Sequence, residues 1–256
     1  MIALYAGGIM ENGLLALVAM ASVLCNASEY HHANLGPEAF VLRTKGWYQD
    51  NSFQKRARLG GLNASYEYLE PSSFYVGADW KYCIGSMLVK QQKPFLPFMT
   101  RQYRTRRDFE MRFKSVEGRV GYNFLVYRDF MVTPYVGWGS RTYRARSKDA
   151  GRRLRMEMSY IYMTQGLRTE YILGERMRMG VCLKNHCAMT GVSKSNAYYQ
   201  YLNPLNGGIE VSFPCSLRCN GTSESYVFRF EPYFRKDNIN NAEVTMGATL
   251  KLSCDF

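Results

Sequence analysis

The last fifteen residues, Ala242 to Phe256, alternate without a fault: Ala242, Val244, Met246, Ala248, Leu250, Leu252, Cys254 and Phe256 interleave with Glu243, Thr245, Gly247, Thr249, Lys251, Ser253 and Asp255. Successive strand side chains point to opposite faces, so this segment sets one apolar face against a polar one. A soluble edge strand rarely keeps that pattern so long. A membrane-crossing strand needs about 9 to 11 residues of it, tilted.

Other segments repeat the pattern. Tyr226, Phe228, Phe230 and Phe234 oppose Arg229, Glu231, Tyr233 and Arg235, while Ile209, Val211, Phe213, Cys215 and Leu217 oppose Glu210, Ser212, Ser216 and Arg218. Met177, Met179, Val181 and Leu183 oppose Arg178, Cys182 and Lys184; Leu154, Met156, Met158, Tyr160 and Tyr162 oppose Arg155, Glu157 and Ser159. Phe130, Val132, Val136 and Trp138 oppose Thr133 and Arg141, and Val116, Val120 and Tyr122 oppose Glu117 and Arg119. Phe74, Val76, Trp80, Tyr82 and Ile84 oppose Asp79, Lys81 and Cys83, and Leu62, Ala64, Tyr66 and Tyr68 oppose Asn63, Ser65 and Glu67. Turn-rich links such as Glu70 to Ser73 and Asn220 to Ser223 alternate with long ones, Gly85 to Asp108 and Ala188 to Asn206. The pattern predicts an all-β fold, an antiparallel up-and-down transmembrane β-barrel. Phe40 to Tyr48 supplies a tenth strand, although its alternation is poor; the count falls to eight if two strands form only an extramembrane hairpin.

Composition excludes several rivals. Aromatics make up 14% of the chain, led by 20 Tyr, which suits interfacial girdles. No run of 18 to 20 apolar residues offers a transmembrane helix, and no common motif recurs every 20 to 50 residues as in a solenoid. Leu14 to Leu24 has the length of a signal-peptide apolar region, with Cys25, Asn26 and Ala27 before a plausible cleavage point, although Glu11 stands where a basic residue is expected and Met10 is an alternative start. The expected organisation is a signal peptide over 1–27, a tail over 28–38 and one barrel domain over 39–256.

With these strands in view, the final segment is similar to the C-terminal assembly signal of bacterial outer-membrane β-barrel proteins, carried here by Phe256, Leu252 and Leu250. That resemblance implies export, insertion in the bacterial outer membrane by the barrel-insertion machinery, and no cofactor. The chain departs from the class in its seven cysteines. Some outer-membrane proteins are disulfide-linked into a rigid envelope, which makes Cys187 and Cys219 candidates for links to envelope proteins. The spacing of Cys182 and Cys187 does not suit zinc, because a strand sends them to opposite faces. Cys215 and Cys254 read as small apolar fillers on the lipid face.

Charge is the remaining signal. Lysine and arginine exceed acids by 12. One set falls in the expected outer loops, namely Lys90, Lys93, Arg101, Arg104, Arg106, Arg107, Arg144, Arg146, Lys148, Arg152 and Arg153, and would meet the phosphates of outer-membrane lipids and lipopolysaccharide. The other set has lumen parity: Lys81, Arg119, Arg141, Arg155, Arg178, Lys184, Arg229 and Lys251, with Glu117, Glu157, Glu210 and Glu231 as the principal counter-charges and Glu67, Asp79 and Glu243 beside them. Salt bridges between them would seal the lumen; incomplete compensation would leave a narrow, anion-preferring pore. Arg101 to Arg107 interleaves basic and aromatic residues, yet no nucleic-acid motif accompanies it, and the strands argue against a nucleic-acid partner. An outer-membrane lipid-modifying enzyme or protease is a further alternative, but of His31, His32 and His186 only His186 has interior parity, within reach of Glu210, and no serine stands in a nucleophile motif. The expected role is structural or surface-interacting, with no catalytic residues.

Overall fold

The computed structural model describes residues 30–48, 51–93, 103–147, 155–174, 176–195, 199–201, 207–220, 225–238 and 243–255. The expected signal peptide and Phe256 lie outside them. The strands are β1 (His31–Tyr48), β2 (Asn51–Tyr68), β3 (Phe74–Lys93), β4 (Tyr103–Tyr122), β5 (Phe124–Tyr127), β6 (Phe130–Ser147), β7 (Arg155–Leu173), β8 (Met177–Ser195), β9 (Tyr199–Tyr201), β10 (Gly207–Ser212), β11 (Cys215–Asn220), β12 (Ser225–Asp237) and β13 (Glu243–Asp255). They build ten staves of a closed antiparallel barrel in which each stave pairs with its neighbours in sequence, and β1 pairs with β13 to complete the ring. Closure removes the unpaired strand edges that a membrane would not tolerate.

Two staves are interrupted for identifiable reasons. Asn123 separates β4 from β5, donating its backbone N–H to Ser73 O and its side-chain amide to Glu70 O while accepting from Thr133 Oγ1 at 2.7 Å. It thereby pins one tight turn to β6. Pro214, which has no N–H to give, separates β10 from β11. The ladder carries on around it through Gly180 N–H to Pro214 O and Phe213 N–H to Pro232 O.

The outward positions define a membrane band. On β3 it runs from Phe74 to Ile84, about 33 Å along the strand and about 25 Å in height once the strand is tilted, and on β13 it holds Met246, Leu250 and Leu252, all exposed. Aromatic rings mark both edges. Phe74, Phe124, Tyr127 and Tyr171 stand exposed at the tight-turn rim, and Trp138 with the stacked pair Trp80 and Tyr82 stands toward the loop rim. Above the upper belt the strands continue as a projecting wall.

Three sequence expectations change. The expected loop from Gly85 to Asp108 is largely strand, because β3 and β4 pair as far as Lys93 and Tyr103. Lys90, Lys93, Arg104, Arg106, Arg107, Arg144 and Arg146 therefore sit on strands, while Arg101, Lys148, Arg152 and Arg153 fall outside the described residues. The stretch expected as a tail begins β1 at His31, paired with Tyr68 across the sheet, and puts Asn34 and Glu38 in the interior. Finally, β7 is inverted in its upper half. Met156, Met158, Tyr160 and Tyr162 face inward, whereas Arg155, Glu157 and Ser159 face outward, because the upper interior is apolar and the outer wall beyond the membrane is polar.

Candidate functional site

The interior is layered. In the loop-side half, Phe40, Leu42, Phe109, Met111, Phe113, Tyr143, Tyr160 and Tyr162 form an apolar cluster. At the tight-turn end a smaller one holds Leu69, Tyr75, Met131 and Tyr135, with Cys182 against it. Inner-face glycines make room for the rings: a Cβ on Gly139 would stand 2.6 Å from Tyr162 Oη, and one on Gly166 would strike Tyr135. Charged side chains fill the space between these layers and along the β8 to β13 wall.

The charges meet across the lumen as well as along single strands. Glu67 on β2 is clasped by Arg168 of β7, by Arg229 of β12 and, at 3.7 Å, by Arg119 of β4. Each of these arginines also holds a second acid: Glu170, Glu231 at 3.3 Å, and Asp79 respectively. Lys184 bridges Glu117 at 3.2 Å and Glu210 at 2.9 Å, and Tyr162 donates its hydroxyl to Glu117 at 2.8 Å. Glu38 accepts from Lys81 at 3.0 Å, Asn63 at 3.0 Å and Tyr233 at 2.7 Å. Lys251 reaches Ser65 Oγ at 3.1 Å and lies between Asp79 and Glu231. Arg235 Nε lies 2.8 Å from Asp237 Oδ2 as an ion pair, and Arg141 lies 3.9 Å from both Asp237 and Glu210.

Of the residues assigned to the lumen from sequence, Lys81, Arg119, Arg141, Lys184, Arg229, Lys251, Glu117, Glu210 and Glu231 are brought together here. Arg178 keeps inward parity at the tight-turn rim, half-buried near Glu170. Arg155 and Glu157 do not belong to the set: they pair with each other at 3.1 Å on the outer wall, where Glu157 also accepts from Arg144 at 3.0 Å. Leu250 and Leu252 face outward within the band.

Sequence reasoning missed Glu38, Arg168, Glu170 and Asp237. Arg168 and Glu170 alternate with the outward Leu167 and Tyr171, so carrying β7 past Tyr162 would have found them. With these included, the inward cations Lys55, Lys81, Arg119, Arg141, Arg168, Arg178, Lys184, Arg229, Arg235 and Lys251 nearly match the carboxylates Glu38, Glu67, Asp79, Glu117, Glu170, Glu210, Glu231, Asp237 and Glu243 in number among the described residues. The excess of positive charge over the whole chain is therefore not a property of its interior.

A central cavity of about 50 Å³ remains, bordered by Glu38, Lys81, Lys184, Glu210 and Lys251 among others. It has room for a few water molecules. His186 lies above it, fully buried, with Nε2 against Asp237 rather than Glu210 and its ring edge-on to Tyr162. Of the cysteines, Cys182 faces inward to Tyr135 at 3.3 Å, while Cys187 sits on the outer parity beside Met163, in line across the sheet with Trp138. Cys219 is exposed near the tight-turn end of β11.

No family model matches this chain, and no curated protein does. Among solved structures it is similar to the outer membrane protease OmpT of Escherichia coli, with a TM-score of 0.57 and 9% identity over 88% of this chain and 94% of that one. The transport unit of the autotransporter AIDA-I from Escherichia coli gives 0.49 at 7% identity, over 94% and 98% of the two chains. The translocator domain of the autotransporter NalP from Neisseria meningitidis gives 0.48 at 8% identity, over 99% and 98%. What is shared at such identities is the fold. The chain is an antiparallel β-barrel of the bacterial outer-membrane kind.

Proposed function

We propose that the protein is an integral outer-membrane barrel with a sealed lumen, acting as an element of envelope structure or surface contact rather than as a channel or an enzyme. One observation carries the reading: Glu67 is held from three other staves at once, in a lumen where the described residues leave a central cavity of about 50 Å³ between two apolar layers. Ions would have to break buried pairs and part aromatic rings to pass. His186 and Asp237, the pair that could resemble part of an acid–base site, are buried among the described residues, against Tyr162 and Arg141.

Planar-bilayer recording from purified, correctly folded protein tests this. Silent bilayers are expected, and steady channels would overturn the sealed reading, with anion selectivity pointing to the narrow pore instead.

A further inference from the structure

The outer wall presents its basic residues in two distinct settings. Arg112 donates to Glu110 on its own strand at 3.0 Å, and Arg144 to Glu157 at 3.0 Å, so both are neutralised where they stand. Arg43, Arg56 and Arg58 are different. All three are exposed on the outer face of β1 and β2, Arg43 lies directly opposite Arg56 in the antiparallel register, and Arg58 follows two residues along the same face. Among the described residues none of the three has an ion pair. Their outer-face neighbours are Val41, Val244, Ser86 and Leu88, which are apolar or uncharged.

Like charges placed directly opposite on a sheet destabilise it. The Cβ atoms of such a pair lie about 4.5 to 5.5 Å apart, a spacing from which two guanidinium groups can close on one tetrahedral oxyanion. The height of the cluster selects the source of that anion. Arg58 pairs with Val41 and Ser86, one step above the Gly60 to Ile84 pair that ends the apolar run of β3, and Leu62 stands exposed just below. Met246 on the neighbouring β13 is exposed beside Val41. A ligand on this wall would therefore meet apolar surface with its lower part and three arginines with its upper part.

We infer that Arg43, Arg56 and Arg58 form a phosphate-binding site for the headgroup of a phosphorylated glycolipid of the outer leaflet, whose acyl chains run down over Leu62 and Ile84. Arginine suits this role because its fork can give two parallel hydrogen bonds to a phosphate and stays charged. The inference rests on the reading of the chain as an integral membrane barrel, and it replaces basic loops with a strand surface as the lipid contact.

The test uses the full protein refolded in uncharged detergent, with heat-modifiable gel migration as the check of folding. A bisphosphorylated lipid A, its dephosphorylated form, phosphatidylglycerol and heparin are added separately, and binding is read by native mass spectrometry and by the unfolding temperature. Bisphosphorylated lipid A should bind the unaltered protein at least tenfold more tightly than the Arg43→Gln, Arg56→Gln, Arg58→Gln triple variant. Lys90→Gln with Arg146→Gln, farther up the wall, should leave binding unchanged. Without lipid the triple variant should unfold at the same temperature as the parent or higher, because the repulsion has been removed. Should the triple variant not fold, the three single substitutions carry the same comparison, each expected to weaken binding about threefold. Equal binding of lipid A by parent and variant would overturn the site. So would equal affinity for the dephosphorylated form or for phosphatidylglycerol, or capture of heparin without lipid A. Failure to refold as a heat-modifiable barrel would instead count against membrane insertion itself.

Discussion

Replacing Glu67 by Gln removes one negative charge from a site where three guanidinium groups converge. The side chain is 3% exposed, and Arg168, Arg229 and Arg119 reach it from three other staves. Breaking a buried ion pair by removing one partner costs about 3 to 5 kcal/mol, because the remaining charge is left in a poorly solvating interior. Here each arginine keeps another acid, in Glu170, Glu231 and Asp79. The loss should therefore fall at the lower end, about 3 kcal/mol. Glu157→Gln is the matched control. Glu157 also contacts two arginines, but Arg144 and Arg155 have half their side-chain surface in solvent, at 49% and 52%. Such exposed pairs contribute roughly 0 to 1 kcal/mol.

Equilibrium unfolding in urea, followed by tryptophan fluorescence with protein refolded into lipid vesicles, measures both variants on one scale. The pair Glu67→Gln with Arg229→Gln should recover part of the loss, since charge balance returns. Equal penalties for Glu67→Gln and Glu157→Gln would refute the reasoning, as would a double variant whose loss is simply additive.

Two other measurements bear on the faces of the strands. Phe230→Arg and Leu167→Arg place a charge on outward positions near the middle of the band and should each cost about 2 to 4 kcal/mol in the same assay; costs under about 0.5 kcal/mol would contradict the band as drawn. In intact cells, cysteine substituted for Arg155 should react with a membrane-impermeant maleimide while cysteine substituted for Met158 should not, and the reverse order would restore the parity expected from the sequence of β7.

How far the sequence could be read depended on what lay behind each polar face. From β8 to β13 the interior is charged, so apolar and polar residues separate cleanly: Val211 from Ser212, Phe230 from Glu231, Leu250 from Lys251. There, alternation reveals both the strand and its inner face. On the opposite wall the loop-side interior is itself apolar, and the rule that oil-loving side chains face lipid loses its meaning. Phe40 and Leu42 on β1 face inward against the Phe113 layer, leaving Pro37 and Ala39 outside, so the strand is real but its pattern is faint. On β7 the same layer draws in Tyr160 and Tyr162, and a correct period acquires the wrong phase. The charged contacts missed from sequence have a related cause. Glu67 and Arg168 are 101 residues apart and Glu67 and Arg229 are 162 apart, so no local spacing announces them. Their partnership exists only because closing ten staves into a ring brings β2, β7 and β12 face to face across a lumen barely wider than the side chains that fill it.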